Sequence, residues 1–403
     1  MTTLLTNCHV IPCITEGEAI IHDAAVLIEG KQIKAVGKAT DFGDSEGVQI
    51  RDLGGRYVMP GLMNMHVHLG LSLPGATQAA AAKETEMDLF ARALKNAHDA
   101  LHAGVTFVRC VGEKNGLDFA LRRAFTSGLL QGPNIVCAGR AVIITGGHGW
   151  QGYGSIEADG ADEWRKAARS QLKLGADLVK LMITGGIAGE HEAIRDAQAT
   201  FDEMQAACEA AHNAGKHATA HAGSPKAIQD GINAGLDCIE HGYFLDDATV
   251  ELMIKKGTWL CPTLCVSRAE QYMRNLGVPQ YMINKSLRAG EDHAKAYQLA
   301  LNSGVKIAMG TDMLPGEPNE GTVATYREME FMSELGMAPH QVLLSATRNP
   351  AQLNQLADQF GAVAAGYQAD LIALTANPAE NTRNIRSIDW VMKGGAVYRN
   401  DCV

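Results

Sequence analysis

The sequence predicts an α/β protein: a (β/α)8 TIM-like barrel with a small β-sandwich domain formed by both termini. Three observations lead there. A unit of helix, glycine and short apolar run recurs through the middle of the chain. The two ends read instead as short strands joined by glycine turns. Several of the apolar runs end in a side chain that carries chemistry, and barrel enzymes keep their active sites at strand carboxyl ends.

The first segment, residues 1–58, holds Ala24–Glu29 and Gln32–Val36 on either side of Gly30-Lys31, a two-residue turn signal, followed by Val48–Asp52. The last segment, residues 365–403, repeats the pattern with Ala369–Leu374, Trp390–Lys393, the turn Gly394-Gly395 and Ala396–Arg399. Neither end has enough apolar surface to stand alone, so the two are expected to form one β-domain. Residues 59–364 are expected to be the barrel. There, runs follow Gly104, Gly175, Gly215, Gly235, Gly257 and Gly304. Glycine just past a helix end supplies a left-handed cap, and the run after it is a buried parallel strand. With Val58–Leu69 and Ile135–Ala138, eight strands can be counted. Helices over Asp162–Leu174, Asp202–Ala214 and Asp247–Lys256 start with Asp, as the helix dipole prefers. No Gly-x-Gly-x-x-Gly follows the first strand, which disfavours an open doubly wound sheet.

Composition narrows the function. The chain has 403 residues, 46% of them hydrophobic and 20% charged, which excludes disorder for most of it. Lys+Arg 35 against Asp+Glu 45 gives a net charge of −10, which argues against a nucleic-acid or anionic-membrane partner. Nine scattered cysteines suit a reducing compartment better than a disulfide framework, and Cys261 and Cys265 lack a second pair at zinc-ligand spacing. No signal peptide is read in Met1–Glu18. The longest stretch free of Asp, Glu, Lys and Arg, Tyr57–Ala82, is too interrupted by Pro, Gly, Asn and His to span a membrane. The expectation is a cytoplasmic homo-oligomer acting on a small-molecule substrate.

His66 and His68 end the first barrel strand, and a period of two puts both on one face. Lys180, His221, His241 and Asp312 fall five to eight residues after their helix-capping glycines, each at a strand end. Any one of the histidines could be an ordinary hydrogen-bonded interior residue, and Asp312 could be a helix cap. Lys180 sits inside an apolar run, where a charge is costly unless neutralised or paired. Six such residues at successive strand ends point to one site. Arg109 ends its own strand and is read as pointing to the same mouth, where it touches either ligand or a structural carboxylate. His217 shares a strand face with His221, and holding a ligand side chain in place from behind is one reading of it. His191 is placed on a loop, and His98, His102, His212 and His293 on helices as surface or packing residues.

Pro60–His68, the Lys180 strand, His221, His241 and Gly310-Thr311-Asp312 together resemble the metal-binding series of the amidohydrolase superfamily. The resemblance implies that His66, His68 and Asp312 hold one divalent metal and His221 and His241 a second. Lys180, carboxylated on Nζ by CO2 to N6-carboxylysine, would bridge them. Zinc is the expected ion. Thr145–Gly149, Thr184-Gly185-Gly186 and Ile239–Tyr243 are similar to the branch of Xaa-Pro dipeptidase-like and metal-dependent carboxypeptidase-like enzymes. What this implies is hydrolysis of the amide bond of a dipeptide or N-acyl amino acid by a metal-bridging hydroxide. Asp312 would carry the proton, His148 would stabilise the oxyanion, and Tyr243, His148 and Arg109 would contact substrate. Two other readings stay open: an amidohydrolase of a cyclic amide, carbamate or urea, and a non-catalytic metal-binding protein.

Overall fold

Seven short parallel strands, buried over nearly their whole length, line the centre of the molecule in a computed structural model that describes residues 2–17, 19–43, 47–152 and 154–402. They are Leu62–Val67, Val105–Cys110, Asn134–Cys137, Leu178–Met182, His217–Ala222, Cys238–His241 and Trp259–Cys261. The first three pair with one another, and so do the last four. Asp177 N–H donates to the Cys137 carbonyl at 2.8 Å and joins the two groups. Residues 305–309 close the ring. Leu260 N–H reaches the Lys306 carbonyl and Met65 N–H the Met309 carbonyl, each at 2.9 Å. That eighth stave carries only an isolated bridge, Leu260 to Ile307, so its regular pairing is shorter than the apolar run after Gly304 suggests.

The helices sit outside the ring, as expected for parallel strands joined by right-handed crossovers. The expected Asp-led helices occur as Ala161–Lys173, Phe201–Asn213 and Asp247–Lys256. Asp246 caps the last of them, accepting from Thr249 N–H at 2.9 Å. A 24-residue helix, Gln280–Ser303, runs over the upper rim and returns the chain to the eighth stave.

Val58–Leu69 reads as one apolar run but serves two sheets. Gln49–Pro60 belongs to the terminal sheet and Leu62–Val67 to the barrel. Gly61 makes the junction, because a Cβ there would lie 2.2 Å from Thr106 Oγ1. The terminal domain is one seven-stranded sheet in which three strands from the end of the chain lie beside four from its start. Its order is Ala396–Asn400, Ile388–Lys393, Leu371–Leu374, Gln49–Pro60, Thr2–Val10, Ile21–Glu29 and Gln32–Lys38. The sheet curls back on itself. Ile33 N–H donates to the Tyr367 carbonyl and Gly366 N–H to the Ile33 carbonyl, each at 2.8 Å. Leu5, Val26, Ile28, Val58, Trp390 and Met392 fill the fold it makes. Among the described residues no helix is long and apolar enough to cross a membrane.

Candidate active site

Parallel register brings the strand ends to one level. Lys180 pairs with Thr219, His221 with Glu240, and Ala222 with His241, so each ligand-type side chain stands beside the next. A cavity opens above them. His66, His68, Lys180, His221, His241, Asp312, His148 and Tyr243 all line it.

The hydrogen bonds fix the imidazole tautomers. His66 Nδ1–H donates to Glu240 Oε2 at 2.8 Å, and His68 Nδ1–H to the Gly112 carbonyl at 2.7 Å. Their Nε2 lone pairs therefore face Asp312 Oδ1, at 3.3 and 3.1 Å. Acceptor faces acceptor there unless a proton or a cation is shared. His221 Nε2–H is held by the Gly185 carbonyl at 3.0 Å, and His241 Nδ1 meets Thr263 Oγ1 at 2.7 Å. His66, His241 and Asp312 bring one ligand atom each within 4.8 Å of one another. His241 and Asp312 hold left-handed backbone, with φ +69° and +53°. Non-glycine residues adopt it at a cost, and such strain clusters at functional sites.

Lys180 is fully enclosed, and its Nζ has no hydrogen-bond partner. Burial lowers its pKa, against the pull of Glu240 and Asp312. Burial also takes His221 and His241 well below the usual histidine range, helped by His148 and Lys180 for the first and by His221 and His66 for the second. Both are neutral, as metal ligands must be. Burial and then the charge of Asp312 hold the Tyr243 phenol well above its ordinary value, so it stays a donor.

His148 stacks on His221 with ring centroids 4.2 Å apart. Its Nδ1–H donates to Glu192 Oε1 at 2.5 Å, and Gln198 Nε2 donates to Glu192 Oε2 at 2.9 Å. Gly186 makes room for the ring, because a Cβ there would lie 2.2 Å from His148 Cε1. Tyr243 stacks on His241 at 5.1 Å, with His293 behind it at 4.8 Å.

One expectation is corrected, and one open reading is closed. Arg109 does not line the cavity. It points into the barrel interior, where its NH2 group donates to Glu240 Oε1 at 2.6 Å and its Nε to the Met65 carbonyl at 2.6 Å. A cation held by that buried carboxylate is not free for substrate. His217 supports no cavity residue either. It shares the face of His221 but starts the strand, roughly 13 Å lower at a strand's rise per residue. There it meets Gln355 Nε2 at 2.5 Å. Cys261 and Cys265 are buried free thiols. His191 lies in an outer recess that meets the cavity at Gly149 and Ala188.

Several residues of the site carry no role in the sequence reading: Glu240, Glu192, Gln198, Thr263 and His293. Glu240 had a signal, since it is a charge inside one of the short runs that follow a helix-capping glycine. Glu192, Gln198 and Thr263 sit on loops and had none. His293 is fully buried, donating from Nε2 to the His241 carbonyl at 3.1 Å and accepting at Nδ1 from Ser267 at 2.8 Å.

A closed barrel with imidazole, carboxylate and lysine side chains converging at its strand carboxyl ends defines a class, the barrel hydrolases built to use divalent metals. The chain belongs to the amidohydrolase family, whose model matches residues 57–397. It is 28% identical over 417 residues to an ochratoxinase of Aspergillus niger, covering 95% of this chain and 84% of that enzyme. A crystal structure of a Xaa-Pro dipeptidase with bound methionine in the active site superposes with a TM-score of 0.90 and 31% identity, covering 99% of this chain and all of the other, 100%. A prolidase complexed with N-methylphosphonate-L-proline superposes with a TM-score of 0.91 and 28% identity, covering 100% of both chains. The protein is thus a hydrolase of this family.

Proposed function

We propose that the protein hydrolyses the amide bond of dipeptides or N-acyl amino acids with two divalent metal ions, zinc in our reading. The observation that carries this is Lys180, whose Nζ is buried without a partner among five other ligand-type side chains. An ammonium there is unstable, whereas addition of CO2 to the neutral amine gives an anionic carbamate with two ligand oxygens. The opposed acceptors of His66, His68 and Asp312 fit a cation equally well. His66, His68 and Asp312 would hold one ion, His221 and His241 the other, and carboxylated Lys180 both. Paired metals of this kind polarise a carbonyl and lower the pKa of water.

The chain's own residues do the rest. Asp312 takes a proton from the attacking water and passes it to the departing nitrogen. His148, held by Glu192 and Gln198, supports the developing oxyanion, a role worth about 3–4 kcal/mol. Tyr243 donates its phenol proton to the free carboxylate of the substrate. The names of the dipeptidase and prolidase neighbours, with 31% and 28% identity, support this substrate class.

Elemental analysis of protein grown with zinc and bicarbonate tests the reading, with about two equivalents per chain expected. Lys180→Ala should lose both metal and turnover. One equivalent at full activity, or turnover of lactams and ureas in place of dipeptides, would overturn it.

A further inference from the structure

We infer that the substrate side chain seated beside this centre is apolar and uncharged, an inference that rests on the amide-hydrolase reading above. The apolar lining of the cavity includes four methionines, Met182 and Met313 beside the ligand-type residues and Met273 and Met282 from the helices over it, with Leu73 and Ile187. Beyond the six candidate ligands, His148 and Tyr243 are the only polar side chains among its described lining. Three acids near this wall already have partners, and Glu190 lines the outer recess and not the cavity. Glu192 is engaged by His148 and Gln198, Glu317 by the Tyr272 hydroxyl at 2.6 Å, and Glu328 by the N–H groups of Leu264 and Cys265 at 2.7 and 2.8 Å. Asp312 and Lys180, both at the candidate metal centre, are the only carboxylate and amine among the described lining, so a basic or an acidic side chain lying on the wall would find no partner there. Either would be desolvated without compensation.

The wall is also held in place. Tyr281 donates to the Ala188 carbonyl at 2.8 Å, and Lys285 donates to the carbonyls of Gly189 and Glu192. Both come from the helix Gln280–Ser303 that carries Met282. The loop bearing Ile187 is therefore tied to the same helix as one of the methionines. Thioether side chains are unbranched and polarisable, so this wall adapts to linear, branched and aromatic groups alike. The specificity it imposes is one of polarity, not of shape.

A dipeptide panel on the zinc-loaded enzyme tests this, with Leu, Met, Phe, Lys and Asp placed in turn on each side of the scissile bond. At one position the apolar residues should exceed Lys and Asp by about a hundredfold in kcat/KM. Met282→Glu should then raise the Lys-to-Leu ratio at that position by about tenfold or more, and Met273→Glu repeats the measurement if the first variant fails to fold. Charged residues accepted as well as apolar ones at both positions, or an unchanged ratio in a folded glutamate variant, would overturn the inference. Failure of the enzyme on every dipeptide and N-acyl amino acid would sink the amide reading instead. In that event calorimetric binding of free leucine against free lysine to the same holoenzyme still reads the wall. Leucine should bind and lysine should not, and equal binding overturns the inference.

Discussion

Two layers of buried charge lie one above the other in this barrel, and they keep opposite accounts. In the lower layer every charge is matched. Glu240 accepts from Arg109 at 2.6 Å, from His66 Nδ1 at 2.8 Å and from the Thr219 hydroxyl. In the upper layer Lys180 Nζ has no partner, and the Nε2 atoms of His66 and His68 crowd a single carboxylate oxygen. The strained backbone of His241 and Asp312 belongs to the upper layer as well. Lys180 and His66 in the upper layer are as buried as Arg109 and Glu240 in the lower. The difference shows that a buried charge by itself does not mark a site. The mark is a buried charge whose partners inside the protein do not add up, because something from outside is needed to complete it.

The largest effect should come from removing Asp312, the upper-layer group proposed to carry the proton. Asp312→Asn keeps the size of the side chain and loses the base, so kcat should fall by roughly a thousandfold or more with a much smaller change in KM. Steady-state kinetics at saturating metal would check it. A near-wild-type kcat would move the proton transfer to another group.

Breaking the lower layer should instead cost stability. Glu240→Gln leaves Arg109 as a buried cation without its counter-charge, a loss of about 3–5 kcal/mol. Chemical denaturation of the metal-free protein would read it. A variant as stable as the parent would mean that Arg109 finds another acceptor, and the two layers would no longer differ in kind.

A smaller effect tests the support beneath His241. Burial, only partly offset by the bond to the His241 carbonyl, pushes His293 down to about 4. Its unfolded value is higher, about 6.5, so the unfolded chain binds the extra proton first. The contribution of His293 to stability is therefore complete above about pH 6.5 and is lost as pH falls from there toward 4, by an order of ~3 kcal/mol. His293→Gln should flatten that part of the stability–pH curve of the metal-free protein. Parallel curves for variant and parent would show that His293 is not the group responsible.

How much of this was legible in the sequence follows the same division. The upper layer shows itself locally: His66 and His68 by a period of two, Lys180 by a charge inside an apolar run. Arg109 gave a similar signal and misled, because the carboxylate that claims it lies 131 residues away and only the closed ring brings the two together. Val58–Leu69 hid a boundary between two sheets, since hydrophobicity continues across Gly61 while the hydrogen-bond partners change. His293 looked like any histidine on a helix. The face a long helix buries, and what waits behind it, is decided by the packing of Gln280–Ser303 on the rim.

The smallest expected effect is the sharpest test of where the site ends. His217 and His221 stand on one strand, on one face, four residues apart. Chemistry and orientation are shared, and only height along the barrel differs. At the top, His221 lines the cavity and stacks against His148. At the bottom, His217 is half-buried against Gln355, with no candidate ligand beside it. His221→Ala should therefore remove one metal equivalent and nearly all turnover. His217→Ala should leave metal content unchanged and kcat/KM within about twofold, with stability moved by no more than roughly 1 kcal/mol for one partly exposed hydrogen bond. Paired metal analyses of the two variants would check it. If His217→Ala also sheds metal, the lower half of the strand communicates with the centre, and partner accounting in the upper layer alone does not delimit the site.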